Sequence, residues 1–140
     1  MSTPRQVAEA FSGHRFEEAY DQLAEDVRWV LVGTGDLVGR AAVRDACEQT
    51  VAGLVGGSTE FLRFLTVDGS GTDGDGAVAV DAIGRYTTPG HPDAVVSSCD
   101  LYEFSGGQVV TITSYTVELD PSASGDEPQH AGPGQPGQKR

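Results

Sequence analysis

Val95-Val96-Ser97-Ser98-Cys99-Asp100-Leu101-Tyr102-Glu103-Phe104, then Ser105-Gly106-Gly107, then Gln108-Val109-Val110-Thr111-Ile112-Thr113-Ser114-Tyr115-Thr116-Val117, is the stretch on which the fold assignment turns. Both halves are long and rich in β-branched and aromatic residues, and the Gly-Gly pair between them is a tight-turn signal, so the stretch predicts a β-hairpin. One carboxylate, Asp100, stands in the middle of the first strand. A charge there needs either a partner or a purpose. Alternation then sorts its neighbours: if Asp100 faces inward so do Ser98 and Tyr102, while Cys99, Leu101 and Glu103 face outward.

Before the hairpin, Ala77 to Thr87 and Thr59 to Val67 read as two further strands, separated by the polar Asp68 to Gly76 loop. Together the four strands form a meander. Upstream, Thr3-Pro4-Arg5-Gln6 has the form of a capping box with proline at the first helical position, followed by Val7, Ala10 and Phe11 on one face. Gly13 ends this helix, and Phe16, Ala19, Tyr20 and Leu23 recur at i, i+3, i+4, i+7 as in a second one. Val27 to Val32 and Leu37-Val38 predict a small hairpin. A third and longest helix carries Val43, Ala46, Cys47, Thr50, Val51 and Leu54 and stops at Gly56-Gly57. The expectation is an α+β domain over residues 1–119, with three N-terminal helices packed in a strongly curved antiparallel sheet. Residues 120–140, rich in Pro, Gly, Ser and Gln, are expected to form a disordered tail.

Charge narrows the partners. The chain has 140 residues and a net charge of -12, of which residues 1–119 carry 18 acids against 7 arginines. Phosphate-backbone binding needs clustered basic residues, so nucleic acid and anionic membrane are not expected partners. Lys139 in the tail is the only lysine, which excludes Schiff-base chemistry from the domain. Two cysteines, Cys47 in a helix pattern and Cys99 in a strand, do not read as a disulfide framework. With no long apolar run and no apolar stretch after Met1-Ser2-Thr3-Pro4-Arg5, the expected setting is cytoplasmic with free thiols.

The order of elements resembles the nuclear transport factor 2-like superfamily, and within it the bacterial SnoaL-like domains. The resemblance covers residues 4 to 119 and is carried by Leu23-Ala24-Glu25-Asp26-Val27-Arg28-Trp29, by Val38-Gly39-Arg40 at the entry to the long helix, and by Asp100-Leu101-Tyr102-Glu103-Phe104. It implies a cystatin-like cone, open at one end, that holds a small hydrophobic molecule, in a homodimer joined through the outer sheet face. It implies no cofactor. Asp100 resembles in position an aspartic acid of the ketosteroid isomerases, which stays protonated in an apolar site and donates to the substrate oxyanion. Surroundings of Trp29, Val80, Tyr102 and Ile112 are accordingly expected to disfavour its charged form by desolvation.

The same resemblance lacks other parts. Leu31 stands near the place of the isomerases' proton-abstracting carboxylate, and Phe11 near that of their oxyanion tyrosine. The Asp-Arg-Asp set of the epoxide hydrolases and the His with last-strand Asp of the polyketide cyclases have no counterpart in Thr113-Ser114-Tyr115. What remains is a shell with one candidate acid. Asp100 is the candidate catalytic residue, its bland alternative being a carboxylate that caps backbone or pairs with an arginine.

Trp29, Leu31, Tyr20, Val80, Tyr86, Tyr102, Ile112 and Ser114 are the candidate ligand-binding residues, the large ones equally readable as core. By analogy Val78, Val80, Ala82, Gly84 and Tyr86 face inward, with Asp81, Ile83 and Arg85 outward. Ile112, Ser114 and Thr116 face inward too, with Thr113, Tyr115 and Val117 outward. An outer face bearing Leu101, Ile83, Tyr115 and Val117 is apolar enough to support a homodimer. His14 and His91 lack spaced partners and read as surface residues rather than metal ligands. The Asp68 to Gly76 loop has neither the glycine nor the glutamate positions of a calcium loop. Two classes of function stay open: an isomerase, lyase or cyclase with Asp100 as acid, or a non-catalytic ligand carrier or interaction module.

Overall fold

The computed structural model describes residues 2–122. From residue 123 onward, the tail expected to be disordered lies outside them. Helix α1 spans Pro4–Ser12 and starts as its capping box dictates, the Gln6 amide donating to Thr3 Oγ1 at 3.2 Å and the Thr3 amide to Gln6 Oε1 at 3.0 Å. Strands follow as β1 (Leu23–Leu31) and β2 (Gly35–Val38), then helix α2 (Arg40–Gly53), then β3 (Ser58–Ser70), β4 (Gly76–Thr87), β5 (Ala94–Ser105) and β6 (Gln108–Leu119). The six strands form one sheet in the order β2-β1-β6-β5-β4-β3. β3 to β6 are the meander expected. β1 joins it by pairing parallel with β6, which carries the first part of the chain across to the far side of the hairpin.

One expected helix is absent. Instead of a second α-helix, Phe16–Glu18 and Tyr20–Gln22 form two single 3-10 turns, and Leu23 already belongs to β1, paired with Val109. A 3-10 turn repeats every three residues, so Phe16, Ala19 and Gln22 share a side much as an i, i+3 helix pattern would. So short a stretch does not offset the cost of helix nucleation when strand pairing competes at its end. His14 sets the break, with a φ of 66° in the left-handed region that few residues other than glycine enter.

The core lies between α1, α2 and the concave side of the sheet. Val7, Ala8 and Phe11 of α1 and Val43 and Cys47 of α2 meet Leu23, Val27, Val78, Val80, Tyr102, Val109 and Ile112 from the strands. Cys47 and Cys99 are both free, and burial pushes the Cys47 thiol up to about 12. Among the described residues no helix is long and apolar enough to cross a membrane.

Candidate functional site

Strand register assembles the site. Val80 on β4 pairs with Asp100 on β5, Asp100 with Ser114 on β6, and Ser114 with Leu31 on β1, so one inward row crosses four strands. The next row is Val78, Tyr102, Ile112 and Trp29, and the row on the other side is Ala82, Ser98 and Thr116. The first of these neighbours is closed core: Val78, Tyr102 and Ile112 are fully buried. On the other side a cavity of about 170 Å³ opens against the sheet.

Among the described residues Asp100 is the only carboxylate in the cavity wall, and hydroxyls hold it from both sides. Ser12, the last residue of α1, donates to Oδ2 at 2.7 Å, and Ser114 donates to Oδ1 at 2.6 Å. Behind each serine stands a second donor. Trp29 Nε1 donates to Ser114 Oγ at 2.9 Å, and the Tyr102 hydroxyl lies 2.6 Å from Ser12 Oγ. Since Ser12 gives its one proton to Asp100, the Tyr102 hydroxyl is the donor of that pair. Two relays of donors therefore converge on one carboxyl, which makes it the acceptor of the network.

Around this centre the wall is aromatic. Phe11, Phe16, Trp29, Phe61 and Tyr86 line the cavity with Leu31. Phe11 packs edge-on against Trp29 at 5.2 Å and against Phe16 at 5.0 Å. A bulge in β3 between Phe61 and Arg63 breaks the alternation, so Phe61 and Phe64, three residues apart, meet edge to face at 5.3 Å. Tyr86 folds back over Gly84, where an added Cβ would come within 3.0 Å of its hydroxyl; glycine is what lets the ring lie there.

His14, expected on the surface, is drawn into the site instead. Its ring stands at the mouth among Phe16, Phe61 and Tyr86, with centroids 5.4 to 5.9 Å away, and its buried Nδ1 has no hydrogen-bond partner among the described residues. Burial lowers its pKa, an effect the negative charge of Asp100 partly offsets. Burial, and then the Asp100 charge, raise Tyr86 and push Tyr102 well above the ordinary tyrosine range, so both keep their protons.

Of the candidate residues, Asp100, Trp29, Leu31, Tyr86 and Ser114 line the cavity together. Val80, Tyr102 and Ile112 face the same way but lie in the core beneath it, Tyr102 linked to Asp100 through Ser12. Tyr20 is elsewhere: it lines a groove of about 390 Å³ outside the cavity, with the Arg44 guanidinium 4.8 Å over its ring. Burial is again the largest cause raising its pKa. Ser12, His14, Phe16 and Phe61 were not among the candidates. Ser12 had a faint signal, since it follows the buried Ala8 by one helical turn; Phe61 had none, because its inward aim comes from the bulge.

The SnoaL-like domain family matches residues 5–112, and the chain belongs to that family. No curated protein matches the sequence. Among solved structures it is similar to a nuclear transport factor 2-like protein of unknown function from Cytophaga hutchinsonii, at 24% identity over 79% of this chain and 93% of that one, with a TM-score of 0.64. It is also similar to an epoxide hydrolase from M. tuberculosis (19% identity, 81% and 82% covered, TM-score 0.57). A protein with a ketosteroid isomerase-like fold from Catenulispora acidiphila, solved with trimethylamine, matches at 18% identity over 81% and 86%, with a TM-score of 0.56. At these identities the structures establish the fold.

Proposed function

We propose that this domain binds a small, mostly apolar molecule in the cavity and that Asp100 exchanges a proton with it, in an isomerisation, dehydration or cyclisation that needs no cofactor. The observation that carries the reading is the hydroxyl cradle: Ser12 and Ser114 each donate to one Asp100 oxygen, and the carboxyl so held lines the cavity. A carboxyl so placed takes a proton first and returns it as an acid in a second step. His14, neutral and without a partner on Nδ1 among the described residues, is a second group able to accept one. The alternative is a carrier without turnover, favoured by the fact that Asp100 is the only carboxylate lining the cavity among the described residues.

The domain is further proposed to pair with a second copy through its outer sheet face. Leu65, Val67, Tyr115 and Val117 are 48 to 61% exposed there, and bare apolar side chains on one sheet face favour a covering partner. Ile83, expected as part of that patch, is already buried within one chain.

Native mass spectrometry of the freshly purified chain, followed by denaturing extraction, tests the reading. A dimer mass with an extractable small molecule that Asp100→Asn no longer retains is expected. A bare mass, together with failure of a library of small apolar ligands to shift the melting temperature, would remove the ligand site.

A further inference from the structure

Building on the reading of the cavity as a ligand site, we propose that its ligand class is a small alkylammonium cation, seated on the Asp100 carboxylate inside the aromatic wall. The first ground is a charge left unanswered. All seven arginines of the described residues are engaged elsewhere: Arg5 with Glu9, Arg15 with Glu18, Arg28 with Asp36, Arg44 with Glu48, Arg63 with Asp81, Arg85 with Asp93, and Arg40 with the Leu23 carbonyl. Asp100 makes none of these pairs and is held by neutral hydroxyls. A half-buried carboxylate in a cavity wall that no cation of the protein answers is a place for a cation brought by the ligand.

The second ground is what surrounds it. Phe11, Phe16, Trp29, Phe61 and Tyr86 line the void, and no lysine or arginine among the described residues does. The faces of such rings are negative, and they attract a cation lying within about 6 Å while gaining nothing comparable from its uncharged isostere. His14 completes the wall at the mouth, and its lowered pKa means that it adds no positive charge at neutral pH. An alkylammonium suits both parts of the site at once, because its methyl groups fill apolar space while its charge faces Asp100. A bulky or metal cation does not: the cavity is only about 170 Å³, and no group of three or more acidic, His or Cys ligands is assembled among the described residues. The net charge of -12 favours cations over anions around the protein as a whole.

Isothermal titration of the full chain with choline and with 3,3-dimethylbutan-1-ol, its uncharged carbon isostere, tests the proposal. Wild type is expected to bind choline at least about tenfold more tightly than the alcohol. Asp100→Asn should weaken choline several-fold and shrink that preference while the alcohol binds as before, with circular dichroism confirming the fold. Phe61→Leu, which keeps apolar volume but removes a ring face, should weaken choline several-fold and leave the alcohol unchanged. Equal or tighter binding of the alcohol by wild type, or choline binding that neither substitution weakens, overturns the cation assignment and leaves the ligand cavity standing. If neither compound binds, the cation assignment falls, while the cavity reading falls only if the library of small apolar ligands also fails to shift the melting temperature.

Discussion

Asp100 and Asp81 stand on neighbouring strands, one residue apart in register and on opposite faces of the same sheet. Asp81, on the convex face, opposes Cys99 and is met by Arg63 at 3.0 Å, both side chains about two-fifths exposed. Asp100, on the concave face, is met by no cation among the described residues and takes two hydroxyl protons instead. The two carboxylates show where this fold places its chemistry. At Asp81 the outer face answers a carboxylate with one of its own arginines, in water, where pairing is easily made and contributes little. The inner face leaves one charge open inside an aromatic wall, an arrangement that has its use when something else enters.

Packing separates the two faces most strongly. Ile112→Ala, at a fully buried inner position, should cost about 2–5 kcal/mol in urea unfolding, whereas Tyr115→Ala, at a half-exposed outer position on the same strand, should cost under about 1 kcal/mol. Equal losses at the two positions would mean that the outer face is packed as tightly as the inner one. The outer substitution should instead show in self-association. If the outer face joins two copies, Tyr115→Ala shifts the sedimentation equilibrium toward monomer while unfolding of the monomer hardly changes, and an unchanged equilibrium would remove this face as the interface.

A smaller effect is expected from pH, and it belongs to the inner face alone. Burial holds the His14 pKa below its ordinary value of 6.5, so as pH falls through that value the unfolded chain takes up a proton before the folded one does. Stability contributed by this group is therefore full above about pH 6.5 and declines on acidification toward the folded pKa. His14→Asn, which keeps a residue tolerant of the left-handed backbone, should flatten the melting temperature between about pH 7.5 and pH 5.5. A slope identical to wild type would place the titration elsewhere. The smallest effect is expected at Asp81: Asp81→Asn removes an exposed ion pair and should change urea-unfolding stability by less than about 1 kcal/mol, an effect that added salt reduces further.

Much of this was legible in the chain. Alternation along β5 put Ser98 on one face with Asp100, the family resemblance set Ser114 and Thr116 beside them, and all four line the cavity. The capping box at Thr3 and the paired strands of the meander followed from local rules, because a cap or an alternating strand is decided by residues a few positions apart. The second helix was misread for the same reason in reverse: Phe16, Ala19 and Tyr20 have a spacing that 3-10 turns share, and the strand pairing of Leu23 that ends them involves Val109, far along the chain.

Composition and periodicity thus sufficed for an acidic α+β domain with Ser98, Asp100 and Tyr102 on one face of a strand, since those properties depend on side-chain type and strand parity; the family resemblance turned that face inward. Folding in three dimensions supplied the rest. Ser12 reaches Asp100 across 88 residues of chain, the β3 bulge aims Phe61 into the wall, and His14 closes the mouth from a left-handed turn. These placements depend on how the sheet curls over α1 and brings together segments distant in sequence, and no local pattern encodes that approach.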